Sequence, residues 1–213
     1  MLNLFKRQEQ KDNGAYAGKD ITVILDNGHG MECRNGSPKW PDGSQLMEWE
    51  FTRDIVRRIS HGLQLAGIKH VILVTEKHDI SLQERVKRAN KIYKDTGKRC
   101  FGISVHGNAG GGTGFEIWTS VGKTKSDDIA SVIWNEMKTQ FPSKKMRLDT
   151  SDGDVDKEKD FTILANTKCP FVLTENFFMD NQDDCKLMMS DADREKIANA
   201  HVRAIKKIIL TLY

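Results

Sequence analysis

The sequence predicts an α/β fold built on a largely parallel sheet with helices on both faces. Short apolar, β-branched runs alternate with segments of helical periodicity along the chain, which is the pattern of successive βα units. The 213 residues lie within the size of one domain and can bury a sizeable core. No internal repeat and no Pro- or Ser-rich linker divides them.

Each element has its own signal. Residues 21–25, Ile-Thr-Val-Ile-Leu, form the first strand, which runs straight into Asp-Asn-Gly-His-Gly. Residues 49–66 are helical. At 100° per residue, Phe51, Thr52, Ile55, Ile59, Gly62, Leu63 and Ala66 share one face. Glu48 falls in the middle of that apolar stripe, at the helix start. Glu50 falls on the opposite, solvated face with Arg53, Asp54, Arg57 and His61. Residues 70–75 are a second strand. Residues 81–94 are a helix, opened by the capping box of Ser81 and Glu84. Residues 100–105 and 114–120 are the third and fourth strands, the latter alternating in character. Residues 126–141 are a helix with Ser126 as N-cap before two aspartates. A charged loop, 143–160, leads to a last strand at 171–174 and closing helices at 181–189 and 193–212.

Composition excludes several classes. Lys+Arg number 33 against 30 Asp+Glu, a net +3 that is too small for a nucleic-acid groove. No apolar run reaches the length of a transmembrane helix, so no membrane partner is expected. Residues 1–19 become charged at once, lack an apolar core and read as a polar leader; the expected location is cytoplasmic as synthesised. Cys33, Cys100, Cys169 and Cys185 stand far apart without a CxxC pair, which fits free thiols in a reducing cytosol.

In parallel sheets ligands collect at the carboxyl ends of the strands. His29 follows the first strand, His106 the third, and Glu175 ends the last. Glu48, aimed at the core, must be paired, capped or bound to metal, because burying a lone carboxylate is too costly. Two histidines and a glutamate suffice to hold a catalytic zinc and leave a fourth position for water, whose pKa the metal lowers to about 7. Glu175 is then the candidate to take the proton from water and hand it to a leaving amine. Singly, each residue has an ordinary reading: a turn hydrogen bond for His29 or His106, a helix cap for Glu48, a salt bridge for Glu175. Their convergence on one end of one sheet carries the functional reading.

The segments DNGHG, LMEWEFTRDI, SLQERVKRAN, ISVHGNA, GTGFEIWTS and FTILANTKCPFVLTENFF, in that order and spacing, resemble the zinc-dependent N-acetylmuramoyl-L-alanine amidases of the type-3 family over about residues 20–212. The resemblance implies a six-stranded mixed sheet between helices, with an amidase catalytic domain over residues 20–213. It implies one zinc per chain on His29, Glu48 and His106, with Glu175 catalytic. The implied reaction is hydrolysis of the amide joining N-acetylmuramic acid to L-alanine, with peptidoglycan or muropeptides as substrate. Asn27 replaces the family's usual proline and Gly107 its alanine, and residues 146–161 look longer and more acidic than the corresponding loop. With its polar leader, the chain resembles a phage or prophage lysin that acts on the wall after release. The alternatives are another zinc peptidase or deacetylase with the same ligands, and a non-catalytic wall-binding domain, against which Glu175 argues.

Other features read as structural. The run from Asp152 to Glu158 looks like a calcium loop, but Lys157 stands where a glycine is required, so it reads as a solvated charged loop. The glycine-rich HGNAGGGTG lacks the phosphate-binding spacing. Asn108 orients either His106 or its loop, or simply forms a turn; Glu116 belongs to a polar strand face. His61, His70 and His78 read as surface, and His201 as structural. Cys33, near His29 in sequence, ranks well below Glu48 as a ligand because its loop shows no reason to face inward. Trp40 and Trp49 read as packing beneath the loop rather than as a glycan groove.

Overall fold

The computed structural model describes residues 16, 19–151 and 153–213. The polar leader therefore lies almost wholly outside the described residues. In chain order the elements are β1 (Thr22–Asn27), α1 (Glu48–Leu65), β2 (His70–Ile72), α2 (Leu82–Asp95), β3 (Cys100–Asn108) and β4 (Phe115–Thr119). They continue with α3 (Lys125–Gln140), β5 (Lys157–Glu158), α4 (Thr162–Asn166), β6 (Phe171–Phe178), α5 (Gln182–Met189) and α6 (Asp191–Leu212).

The strands form one six-stranded sheet in the order β2-β1-β3-β6-β4-β5. All neighbouring pairs are parallel except β4 with β6. β1 has β2 on one side and β3 on the other, so the chain reverses its direction of winding there. Ligand crevices form at such a switch point.

Alternation along the strands divides the core. Val23, Leu25, Phe101, Ile103 and Ile117 pack on one face with Phe51, Ile55 and Ile59 of α1, Ile133 of α3 and Ile205 of α6. Ile24, Phe171 and Leu173 pack on the other with Ala89 of α2 and Ile163 of α4. The α/β class and the helices on both faces stand as the sequence predicts.

Several boundaries move. β3 and β6 run past the apolar residues that announce them, so His106 and Glu175 lie within strands and not after them. The cap of α3 is Thr124, whose hydroxyl accepts from Ser126 N, completing a capping box with Asp127; Ser126 is already helical. The sixth strand, β5, lies inside the loop expected to be irregular, and α4 was not anticipated. Ser81 does cap α2, accepting from Glu84 N, while Glu84 turns its side chain to Lys87 and Arg88. The four cysteines are free thiols, although Cys100 and Cys169 meet within the core. Trp40 donates its indole N–H to Cys185 Sγ at 3.3 Å and packs against the core, as expected. His61 and His78 are exposed, but His70 is half-buried and bonded to Ser60 Oγ and the Ile68 carbonyl.

His201 is structural, as read. It is fully buried in α6, with Nδ1 bonded to the Ile197 carbonyl and Nε2 3.3 Å from Thr174 Oγ1. Burial drives its pKa down to about 4, against a smaller upward pull from the Ile197 hydrogen bond. The unfolded chain therefore takes up a proton below pH 6.5 that the folded chain refuses. Stability from this group is present above that pH and falls by about 3 kcal/mol as pH drops towards 4. Urea unfolding of His201→Gln beside wild type should show a shallower acid slope in the variant; parallel slopes would contradict the assignment.

Candidate metal centre

The opening of α1 and the carboxyl ends of β1 and β3 bring His29, Glu48 and His106 together. Glu48 is 3% exposed. Its Oε2 lies 3.2 Å from His29 Nε2, and its Oε1 lies 3.2 Å from His106 Nδ1. Oε1 also accepts from Gly107 N at 3.2 Å. One donor atom from each of the three residues falls within 4.8 Å of the others, the only such group of three or more His, Cys, Asp or Glu side chains among the described residues. Glu50 is exposed, so the helix-face reading separates the two glutamates correctly.

The glycines on either side of His29 have a steric cause. A Cβ on Gly28 would come within 2.3 Å of the His106 ring, and one on Gly30 within 2.1 Å of the Asp79 backbone. Between them His29 adopts φ 62°, a left-handed conformation uncommon outside glycine. That turn is held from outside. Thr52 Oγ1 donates to the Gly28 carbonyl at 2.8 Å, and Arg53 Nη1 to the His29 carbonyl at 2.9 Å. Arg53 was expected to face solvent; instead its guanidinium spans the His29 and Glu76 carbonyls.

Both rings are oriented by groups behind them. Cys33 Sγ lies 3.2 Å from His29 Nδ1, the ring nitrogen turned away from Glu48. The loop does aim Cys33 inward, contrary to expectation, as a partner of the histidine and not as a member of the His-Glu-His group. Behind His106, Arg85 Nη1 is paired with Asp26 Oδ1 at 2.6 Å, and Ser104 Oγ donates to Asp26 Oδ2 at 2.6 Å. With its proton given to Asp26, Ser104 can only accept from His106 Nε2, 3.2 Å away. Ser104 can thus hold a proton on Nε2 and leave Nδ1 to coordinate a bound ion in place of its present contact with Glu48, the kind of outer support that orients metal-binding histidines. Asn108 does not orient His106; its amide bonds Glu116. Sequence reasoning missed Asp26, Ser104 and Arg85. The usable signal was Arg85 lying on the Ala89 and Ile92 face of α2, where an arginine needs an internal partner.

The electrostatics match a cation-binding site. Burial pushes the Glu48 carboxyl up, but hydrogen bonds from His106 and His29 outweigh it and hold its pKa at about 2. The same bond to Glu48 raises the His29 pKa against the effect of burial. Protons therefore compete with metal for His29. Affinity measured by chelator competition should fall as pH is lowered through the raised His29 pKa, and one independent of pH between 5 and 8 would contradict this.

Glu175 stands in β6 directly beside His106 of β3 and opposite Glu116 of β4. The two glutamates are treated differently. Glu116 is 4% exposed and meets Arg147 Nε at 2.7 Å and Lys157 Nζ at 2.5 Å. These cations overcome the cost of burial and lower its pKa. Glu116 is thus an ion-paired residue and not part of a merely polar face. Among the described residues Glu175 has no such cation, and its Oε2 is buried without a hydrogen-bond partner. Burial first, then repulsion by Glu48 and Glu116, raises its pKa well above the ordinary value. Two neighbouring carboxyls pushed apart in pKa in this way are the pattern of an ion-pair partner beside an acid-base group.

Two clefts meet at these residues. One, of about 690 Å³, runs between α2 and α4 and is lined by Leu82, Phe161, Ile163 and Leu173 as well as His29, His106 and Glu175. The other, of about 460 Å³, is more polar and includes Arg34, Asn35 and Asn108 beside His29, Glu48, His106 and Glu175. Among the described residues of loop 143–160, only Asp160 lines either cleft; Arg147 and Lys157 turn to Glu116 instead.

An α/β sheet that gathers at its switch point a His-Glu-His group able to hold a metal ion, with a buried glutamate alongside, has the architecture of a hydrolase. Residues 23–207 match the family described as N-acetylmuramoyl-L-alanine amidase, and the chain belongs to that family. It is 27% identical over 194 residues to the N-acetylmuramoyl-L-alanine amidase CwlM of Bacillus licheniformis, covering 88% of this chain and 68% of that one. It is 27% identical over 190 residues to the endolysin of Bacillus phage SPP1, covering 88% and 65%. The chain thus spans about two thirds of the length of these relatives. The fold matches the crystal structure of an N-acetylmuramoyl-L-alanine amidase from Clostridium difficile 630, with a TM-score of 0.75 at 21% identity over 90% of this chain and 97% of that one.

Proposed function

We propose that this chain is a zinc-dependent amidase that hydrolyses the bond between N-acetylmuramic acid and L-alanine in peptidoglycan. The observation that carries the reading is the convergence of His29, Glu48 and His106 beside a glutamate that has no counter-ion among the described residues. Family membership supports the bond class, and the match to a phage endolysin supports a lysin that is made in the cytosol and meets the wall after release.

The donor set fits zinc. Two imidazole nitrogens and a carboxylate are ordinary zinc donors, and one donor atom from each residue lies within 4.8 Å of the others. His29 Nε2, a Glu48 oxygen and His106 Nδ1 would hold the ion. When bound, zinc supplies Lewis acidity towards the scissile carbonyl and a water acidic enough to attack near neutral pH. The remaining work belongs to the chain. Glu175 accepts the proton of the attacking water and returns it to the departing nitrogen of L-alanine, so the products are a free carboxyl on the lactyl group and a free amine on the stem peptide. Ser104, Asp26 and Arg85 keep His106 in its metal-binding tautomer. The two clefts give the glycan and the peptide separate paths away from the reacting amide.

Mass spectrometry of purified peptidoglycan after digestion tests the bond. Free stem peptides beginning with L-alanine are expected. Cleavage within the peptide would instead support a zinc peptidase, and release of acetate alone a deacetylase.

A further inference from the structure

β6 departs from regular pairing just after Glu175. Its register with β3 runs residue for residue from Gly102–Phe171 to His106–Glu175, then slips and resumes at Asn108–Phe178. Two residues of β6, Asn176 and Phe177, thus face Gly107 alone. That is a β-bulge, a device that re-aims side chains beside functional sites. Phe177 takes φ 72°, a conformation a bulky residue adopts only when its surroundings force it. Here the core does so: Phe177 is fully buried, its ring 5.1 Å from that of Phe141 between centroids. The bulge also breaks the alternation of the strand. Phe171 and Leu173 pack towards α2 and α4, and Glu175 lines the larger cleft beside Leu173. A period of two would put Phe177 on that side as well, yet it packs on the opposite face with Val172. Glu175 is therefore the last of its row, and Phe177 lines neither cleft.

A buried amide fixes the slip. Asn176 is fully buried. Its Nδ2 donates to the His106 carbonyl at 3.0 Å and to Thr174 Oγ1 at 3.1 Å. Thr174 Oγ1 also faces His201 Nε2 at 3.3 Å and the Ser104 carbonyl at 3.4 Å. Its one proton goes to that side, so towards Asn176 it accepts. The peptide that Asn176 grips joins His106 to Gly107, and the Gly107 N–H donates to Glu48 Oε1 at 3.2 Å. One peptide unit is thus tied to Glu48 at one end and to the bulge after Glu175 at the other. We infer that Asn176 is a positioning residue, which through the His106 carbonyl sets the place of the Glu175 carboxyl relative to the His29, Glu48 and His106 group. Asn176 lines neither cleft, so it acts only through these neighbours. The inference rests on the amidase reading for the role of Glu175.

Asn176→Leu keeps the branched shape and removes the donor. In the zinc-loaded protein its kcat for stem-peptide release should fall about 10–100-fold, the cost of misplacing a reacting group by up to about 1 Å, with KM and zinc content unchanged. Crystal structures of metal-free wild type and variant should show the Glu175 carboxyl displaced relative to the His106 ring by on the order of 1 Å. An unmoved carboxyl or an undiminished kcat overturns the inference. So does an effect confined to KM, to zinc content or to the urea midpoint, the last being all that a merely structural role would change. If Asn176→Leu does not fold, Thr174→Val takes its place in both measurements. It should lower kcat about tenfold, for a smaller misplacement, and Thr174→Ser, which keeps the hydroxyl, should restore it; equal rates in the two overturn the inference. A wild type that releases no stem peptide sinks the amidase reading instead, and the metal-free crystal structures then decide the positioning alone.

Discussion

Replacing Glu175 by glutamine should remove most turnover, leave the metal in place and make the metal-stripped protein more stable. Proton transfer by a positioned carboxylate contributes about 10²–10⁴-fold to rate, and an amide keeps the shape without accepting the proton. The stability gain follows from linkage. The Glu175 pKa is raised by burial, then by Glu48 and Glu116, so the folded state holds a proton that the unfolded state releases above its ordinary pKa of about 4.3. Stability from this group is therefore lost as pH rises from there through the raised folded value. Glutamine carries no charge to bury, and at pH 7 the variant should unfold at higher urea than wild type. Metal content, the rate of stem-peptide release and urea midpoints decide the matter together. Loss of metal would make Glu175 a ligand, and an undiminished rate would remove it from the mechanism.

Glu48→Gln should lose the metal, whereas Glu50→Gln should not. Glu48 places one oxygen towards each histidine and accepts from Gly107 N. Glutamine offers a single acceptor oxygen and no charge. Removing an outer partner of a metal site costs roughly 10–100-fold in affinity, and loss of a direct ligand should exceed that. Glu50 is exposed, and its replacement should change stability by no more than about 0.5 kcal/mol. Zinc titration of both variants beside His29→Ala checks the pair of expectations. Full occupancy in Glu48→Gln would displace Glu48 from the site.

Elements with their own hydrophobic period were legible. The α1 stripe placed Glu48 inside and Glu50 outside because burial there follows helix geometry alone. What could not be read were polar residues buried by neighbours distant in sequence. β3 and β6 extend through His106 and Glu175 because each strand completes the other's ladder, while polar residues, His106 to Asn108 in one and Glu175 and Asn176 in the other, interrupt the apolar run. β5 is two charged residues, Lys157 and Glu158, with no strand-like composition; Lys157 is anchored by Glu116 from the adjoining strand. Arg53 looked solvated because its partner is a backbone carbonyl at His29, twenty-four positions earlier. Cys33 shows the same limit, since its inward aim comes from the loop's path and not from its local sequence.

The His29 carbonyl receives Arg53 of α1 and Arg85 of α2, at 2.9 and 3.3 Å. Those helices cover opposite faces of the sheet. One peptide group is thus a rivet through the three layers of the molecule, and it belongs to the residue whose ring faces Glu48. Any sliding of one helical layer against the other must turn that peptide and swing the imidazole with it. The His-Glu-His group therefore registers the alignment of the whole sandwich, and its geometry would degrade under layer shear well before the core itself came apart.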